Sequence, residues 1–454
     1  MTAFKGGVHP PYHKEATRER EIRAAALPKI ARLPLQQHIG APAKPVVEVG
    51  DHVKRGQLIA EPGGYVSAAV HASVSGRITA IRPFPHPFGS KLPAIEIESD
   101  TWDTPSDCGL QIADCGLGRS SLGEGGSATP DEIIEAVHRA GIVGMGGAAF
   151  PTHVKLKPPK GVTIHTLILN GAECEPYLTC DFRVMLERAD DVIAGARLLQ
   201  KAVSAERVIV GIEANKEEAI ETMSEAARDF SDIAVERVEV KYPQGSELQL
   251  IKALADVELP KSKLPLEAGF VVQNVVTAVA VFEAVTQGKP LYERVVTVSG
   301  DGVKEPGNFL VRLGTSFGEL LEQAGGVAED AAKVIVGGPM MGLAQYTLEA
   351  PVIKGTSGIV VFREEKVDIA EALACVRCAR CETHCPAGLA TARIGLAAEF
   401  GKFEIAEALK VMECIECGCC SYVCPSSRPM THYMKAAKAE ILRKRQREKA
   451  ASGK

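Results

Sequence analysis

Two cysteine ladders near the C-terminus restrict this chain more than any other feature. Cys375, Cys378, Cys381 and Cys385, with Pro386 following, spell C-x2-C-x2-C-x3-C-P, and Cys414, Cys417, Cys420 and Cys424, with Pro425 following, spell it again. Thiolates at i, i+3 and i+6 of one tight loop can wrap three corners of an iron–sulfur cubane. The fourth cysteine, set apart by its proline, ligates the cluster of the other ladder. The spacing predicts two 4Fe–4S clusters with crossed ligation. One takes Cys375, Cys378, Cys381 and Cys424, and the other takes Cys414, Cys417, Cys420 and Cys385. Zinc also accepts four thiolates, but its sites usually join two separated C-x2-4-C pairs, which three cysteines in one ladder do not supply. Residues 389–412, between the ladders, have helical period and read as the connector of a two-cluster ferredoxin domain. Cys419 is left over because using it breaks the spacing, and His384 reads as a neighbour of the ligands rather than one of them.

The chain has thirteen cysteines, nine of them between Cys375 and Cys424, which speaks for metal binding rather than disulfides. With 454 residues, 46% of them apolar, it can bury several cores and divide into roughly three or four domains. A net charge of −5 gives no electrostatic reason to expect nucleic acid. The N-terminus lacks the apolar stretch of a secretory signal, so a cytoplasmic location is expected. The most apolar window, 269–285, is short and contains Gln273, Asn274 and Glu283. Membrane contact is therefore expected to be peripheral only.

The fold class expected is multidomain α/β and α+β. An N-terminal arm at 1–40 precedes a small β domain at 41–100, whose turn spacing is that of a lipoyl/biotinyl-like sandwich. Tyr65 stands where such carriers hold their modified lysine, so a docking role is expected in place of a swinging arm. Residues 101–128, rich in Gly, Ser and Asp, read as a linker, with Cys108 and Cys115 as ordinary thiols. Alternating strands and helices at 129–290 predict a largely parallel α/β domain of Rossmann-like type. A compact β-α-β pattern at 291–362 suggests a β-grasp module, residues 363–432 the helical ferredoxin domain, and 433–454 a basic tail. From 435 the tail carries eight basic residues against two acidic ones, which suits a solvated helix or docking on an anionic surface.

Within the α/β domain, a glycine-rich loop at 141–157 offers backbone N–H groups and a downstream lysine to a phosphate, although such a loop is often plain turn geometry. About twenty residues on, a strand runs into Asn170, Glu173 and Glu175, at the end where open α/β sheets bind ligands.

GMGGAAFPTHVK (144–155), NGAECEP (170–176), YPQGSELQL (242–250) and VVQNVVTAV (271–279) together resemble the NADH- and flavin-binding subunit of respiratory complex I. With FKGGVHPPYHK at the N-terminus, the lipoyl-like sandwich, VIVGGPMMG (334–342) and the cysteine ladders, the whole chain is similar to the RnfC family, the peripheral NADH-oxidising subunit of the Rnf ion-translocating oxidoreductase. The resemblance implies an SLBB-like β-grasp module and a noncovalent FMN lying against Gly144, Gly146, Gly147 and Lys155, supported by Asn170, Glu173 and Asn274. Phe150 and Glu175 would face the nicotinamide of NAD(H), and Gly245, Ser246 and Glu247 would line the isoalloxazine. Met145 and Ala172 depart from the complex I pattern, which has arginine and aspartate there. The function implied is electron input on the cytoplasmic side of a bacterial inner membrane. Electrons would pass between NADH, FMN and the two clusters, with no side chain as acid or base, and other membrane and ferredoxin-like subunits or ferredoxin itself would be the partners. A soluble flavin and iron–sulfur cobalamin reductase of a bacterial microcompartment has the same domain set and is the alternative.

Overall fold

The structure is a computed structural model that describes residues 4–100, 128–159, 161–260, 263–367 and 371–451. Its centre is a four-stranded, wholly parallel sheet in the order Ile233–Val238, Arg207–Glu213, Thr166–Asn170, Phe270–Asn274. Thr166–Asn170, Arg207–Glu213 and Phe270–Asn274 read as nearly continuous apolar runs because helices cover both faces, whereas the edge strand Ile233–Val238 is partly exposed. Helix Pro130–Arg139 begins with a capping box in which Thr129 and Glu132 satisfy each other's backbone N–H, with proline at its first position. Helix Ala189–Val203 packs on Val275–Gln287 so closely that a Cβ on Gly195 would stand 1.9 Å from Ala278 O. From Thr166–Asn170 the chain adds two strands on one side and then returns to add Phe270–Asn274 on the other. That reversal opens a crevice at the C-terminal ends of the two neighbouring strands.

Two small antiparallel sheets form the sandwich, one ordered Ile30–Pro34, Lys91–Ser99, Gly76–Pro85, His52–Val53, the other Lys44–Pro45, Leu58–Glu61, Val70–His71. A mixed six-stranded sheet forms the β-grasp-like module, with the expected hairpin of Glu293–Ser299 and Gly307–Arg312. Its helix, Phe317–Gln323, carries a Ser316/Glu319 capping box.

Two expectations about organisation are revised. Residues 1–40 are not a separate arm, because Ile30–Pro34 pairs with Lys91–Ser99 in the sandwich and Ile22–Ala24 pairs in parallel with Gly307–Arg312 in the β-grasp sheet. Pairing in the sandwich buries Ala31, Leu33 and Pro34. Nor is 433–454 a tail. Helix Met430–Ala451 crosses that boundary and buries Met434, Ala437 and Ile441 against Ile394, Ala398 and Ala406. Its cations are engaged nearby, Lys444 with Glu404 at 3.2 Å and Arg445 with Glu407 at 2.6 Å. Most of the expected linker, with Cys108 and Cys115, lies outside the described residues.

A buried polar knot holds the β-grasp module to the α/β domain. Thr179 Oγ1 bonds Thr17 Oγ1 at 2.8 Å and donates to Asn308 Oδ1 at 3.0 Å, and Asn308 Nδ2 donates to Thr17 O at 3.0 Å.

Candidate functional site

Helix Pro130–Arg139 ends at Gly141, whose positive φ turns the chain into the glycine loop. The loop is closed at its base by Gly144 N–H donating to Phe150 O at 2.8 Å and by a bridge between Val143 and Pro151. Met145 anchors it. Its N–H donates to Thr277 Oγ1 at 2.9 Å, its carbonyl accepts from Arg294 Nη2 at 3.3 Å, and its side chain is only 2% exposed. The arginine of the complex I pattern is thus replaced by a core residue, and Gly146, Gly147 and Ala148 form the exposed tip.

The tip leans over the sheet's C-terminal edge. A Cβ on Gly146 would stand 3.4 Å from Asn274, and one on Gly147 would meet nothing within 4 Å. Asn274 caps helix Val275–Gln287 by accepting from Val276 N at 2.9 Å and donates through Nδ2 to Asp181 at 2.6 Å. On the adjacent strand, Asn170 donates to Gly245 O at 2.8 Å and accepts from Ala172 N at 3.1 Å. Gly245 passes so near that a Cβ would lie 3.4 Å from both Asn170 and Cys174. Ser246 and Glu247 follow at the start of helix Glu247–Ala255. Lys155, 24% exposed, bridges the edges of the crevice, donating to Glu247 Oε1 at 2.8 Å and to Val272 O at 2.7 Å. Gly144, Gly146, Gly147, Phe150, Lys155, Asn170, Gly245, Ser246, Glu247 and Asn274 therefore belong to one crevice and its glycine loop. The side-chain nitrogens of Gln244 and Gln273, at its base, are buried without a hydrogen-bond partner among the described residues. Flat glycine walls, one cation and spare amide donors fit a flavin nucleotide.

Glu173 and Glu175 depart from expectation, since both carboxylates are satisfied inside the protein. Glu173 accepts from Asp181 N at 2.7 Å, at the start of helix Cys180–Glu187, and pairs with Lys14 at 3.3 Å. Burial pushes it up to about 7 against the pull of Lys14. Glu175 accepts from Met340 N at 3.1 Å, Met341 N at 2.9 Å and Tyr242 Oη at 3.3 Å, and burial likewise raises it to about 7. Between them, burial first and then Glu213 lift the Cys174 thiol to about 12. A neutral, reduced Cys174 accepts from Gly245 N at 3.3 Å. Beneath lies a second buried pair, Lys216 with Glu213 at 2.7 Å.

The two cysteine ladders repeat one backbone. Arg377 and Ala379 in the first, and Glu416 and Gly418 in the second, take positive φ at equivalent places, and each curls its loop around its cysteines. Gly418 has a further reason to be glycine, since a Cβ there would stand 2.6 Å from Met340 O. One-turn helices Arg380–Thr383 and Cys419–Tyr422 follow and carry Cys381 and Cys420. Cys385 lines a single cavity with Cys414, Cys417 and Cys420. Its charge bears on Cys414 and Cys420, whereas that of Cys424 bears on Cys381. Cys385 gathered with Cys414, Cys417 and Cys420, and Cys424 beside Cys381, suit crossed ligation of a pair of iron–sulfur cubanes. In the second group Cys417 and Cys420 are buried, while in the first Cys378 is exposed. The spare Cys419 is buried beside Cys417.

Tyr242 and Lys14 open and close the YPQGSELQL and FKGGVHPPYHK motifs but received no role from the sequence, because their partners Cys417, Glu175 and Glu173 are remote in the chain.

Four family models match successive stretches: an RnfC barrel sandwich hybrid domain at residues 2–102, a Nuo51 FMN-binding domain at 137–283, an SLBB domain at 295–344 and a 4Fe-4S dicluster domain at 368–425. The C-subunit of the proton-translocating ferredoxin:NAD(+) oxidoreductase complex of Clostridium ljungdahlii is 42% identical over 99% of this chain and 96% of its own length. Its counterpart in the Na(+)-translocating complex of Acetobacterium woodii is 42% identical over 98% of each chain. The C-subunit of the ion-translocating oxidoreductase complex of Rhodobacter capsulatus is 40% identical over 98% of this chain and 84% of its own.

Proposed function

The chain belongs to the RnfC family, the C-subunits of ion-translocating ferredoxin:NAD(+) oxidoreductase complexes, and on that premise we propose that its crevice and cysteine groups are the electron-input machinery of such a complex. It is an oxidoreductase subunit with FMN, two 4Fe–4S clusters and NAD(H) as its redox partners. The observation that carries this reading is a glycine-walled crevice, at the strand-order reversal of a parallel sheet, in one chain with two cysteine loops of matched backbone. A flavin held there would supply two-electron exchange with a nicotinamide and one-electron exchange with the clusters, chemistry that no side chain supplies.

The chain's own residues bind, orient and exclude. Glycine-loop amides and the Lys155 ammonium would hold the phosphate, and Asn170 and Asn274, each fixed by two hydrogen bonds, would keep the strand ends rigid around the ring. Gly245 keeps the floor flat. Phe150, beside the loop, is the residue that the resemblance assigns to the nicotinamide nucleotide. The cysteine groups are Cys375, Cys378, Cys381 and Cys424, and Cys414, Cys417, Cys420 and Cys385.

No described helix is long and apolar enough to cross a membrane, which accords with a peripheral place in the complex. Docking on the cytoplasmic side, against membrane and ferredoxin-like subunits, completes the reading. Full-length similarity to proteins of ion-translocating complexes favours it over a soluble cobalamin reductase. Anaerobic purification followed by flavin, iron and sulfide counts tests it. One FMN and about eight iron atoms per chain are expected, with flavin bleaching on NADH addition. Zinc in place of iron, or absence of flavin, would refute it.

A further inference from the structure

The crevice and the cysteine domain meet at a joint to which the proposed function gives no part. Tyr242, 1% exposed, sits at its centre. It is held by the N-terminal segment, Val8 and Tyr242 exchanging backbone N–H···O bonds of 2.9 Å in both directions. Its hydroxyl donates to Cys417 O at 2.8 Å and lies 3.3 Å from Glu175 Oε1. Glu175 holds the Met340–Met341 turn, and that turn presses on Gly418 of the second ladder. Next to Glu175, Cys174 accepts from Gly245, the floor of the crevice. The packing has no slack, because a Cβ on Gly338 would stand 2.2 Å from Glu175 Oε2.

All of these contacts reach one cysteine group. Gln249, on the helix that starts with Glu247, donates to Pro386 O at 3.4 Å, and Gly7 N–H donates to His384 O at 2.9 Å, both flanking Cys385. Cys385 is the first-ladder cysteine assigned to the second group. The contacts recorded for the start of the first ladder stay within its own domain, Leu373 N–H to Ser426 O at 3.0 Å and Arg428 to Leu373 O at 3.3 Å.

We propose that Tyr242 is a positioning residue that pins the Cys414–Cys420 loop to the flavin crevice. The group of Cys414, Cys417, Cys420 and Cys385 is then the inner redox site, and that of Cys375, Cys378, Cys381 and Cys424 the outer one, turned toward a redox partner. This ordering rests on the flavin and iron–sulfur reading above. A hydroxyl aimed at the carbonyl of a ligand residue stabilises added negative charge on the group that residue holds. Its loss makes the inner site harder to reduce and leaves the outer one as it was.

Tyr242→Phe removes the donor and keeps the ring. In the full chain, purified anaerobically, iron and flavin contents equal to wild type are expected. An EPR-monitored redox titration should then show one cluster shifted to more negative potential and the other unmoved. Cys385→Ala, which removes an inner ligand, and Cys378→Ala, which removes an outer one, identify the two signals. A shift of the outer cluster alone, or of neither, overturns the proposal and leaves the flavin and iron reading intact. Should the variant lose iron, the loss must fall on the inner signal, and loss from the outer one overturns the proposal equally. Wild-type protein lacking flavin or clusters would instead sink the reading beneath it.

Discussion

Replacing Lys155 with methionine is the most direct test of the crevice. The side chain keeps its stem, and only the ammonium, which spans Val272 O at 2.7 Å and Glu247 Oε1 at 2.8 Å, is lost. Glu247 is partly exposed, so freeing it costs the fold little. A charge-assisted hydrogen bond to a bound phosphate is worth about 1.5–3 kcal/mol. At about 1.4 kcal/mol per decade, FMN affinity should fall by roughly 10- to 150-fold. Riboflavin, which has no phosphate, supplies the internal control, and its affinity should hardly change. Fluorescence titration of both flavins into deflavinated wild type and Lys155→Met measures the two ratios. An equal loss for riboflavin would mean that the lysine shapes the crevice rather than meeting a phosphate. No loss for FMN would remove Lys155 from the site.

Other predictions concern groups that the structure reassigns. Glu173→Ala strands Lys14 in a buried position, and breaking such a pair should cost about 3 kcal/mol or more. The melting temperature should drop equally with and without flavin, whereas a drop confined to the flavin-loaded chain would restore Glu173 as a ligand contact. Gly195→Ala forces a methyl into Ala278 O and should destabilise by about 1–3 kcal/mol or prevent folding; an unshifted melt would contradict the helix contact. Lys354 is fully buried, donates to Ala69 O at 2.6 Å and Gly141 O at 2.7 Å, and is lowered by burial to about 7. Folded protein therefore releases this proton well before unfolded chain does. The burial penalty is full below pH 7 and fades as pH rises toward the ordinary lysine range. Stability relative to Lys354→Met should rise across that window by on the order of 3–5 kcal/mol, and parallel pH profiles for the two chains would refute it.

Much of the site was legible because its chemistry is local. The ladders need their sulfurs within one loop, so spacing alone carries them, down to the matched turns at Arg377 and Glu416. The glycine loop, Asn170 and Asn274 likewise lie at turns and strand ends that periodicity locates. Glu173 and Glu175 misled because a carboxylate at a strand end looks the same in sequence whether it faces a ligand or caps a neighbour. Lys14 and the Met340–Met341 turn, which occupy them, are remote in the chain.

From the sequence alone come the kinds of cofactor, the alternation of strands and helices, and the two cysteine loops, since each depends on residues a few positions apart. Tertiary structure decided where the ends of the chain belong, the N-terminal strands on two different sheets and the basic helix on its own domain. It also decided that the Cys414–Cys420 loop packs on Tyr242 and the Met340–Met341 turn. Those outcomes depend on burying surface and pairing polar groups between segments tens to hundreds of residues apart, and no local pattern records which distant partner completes them.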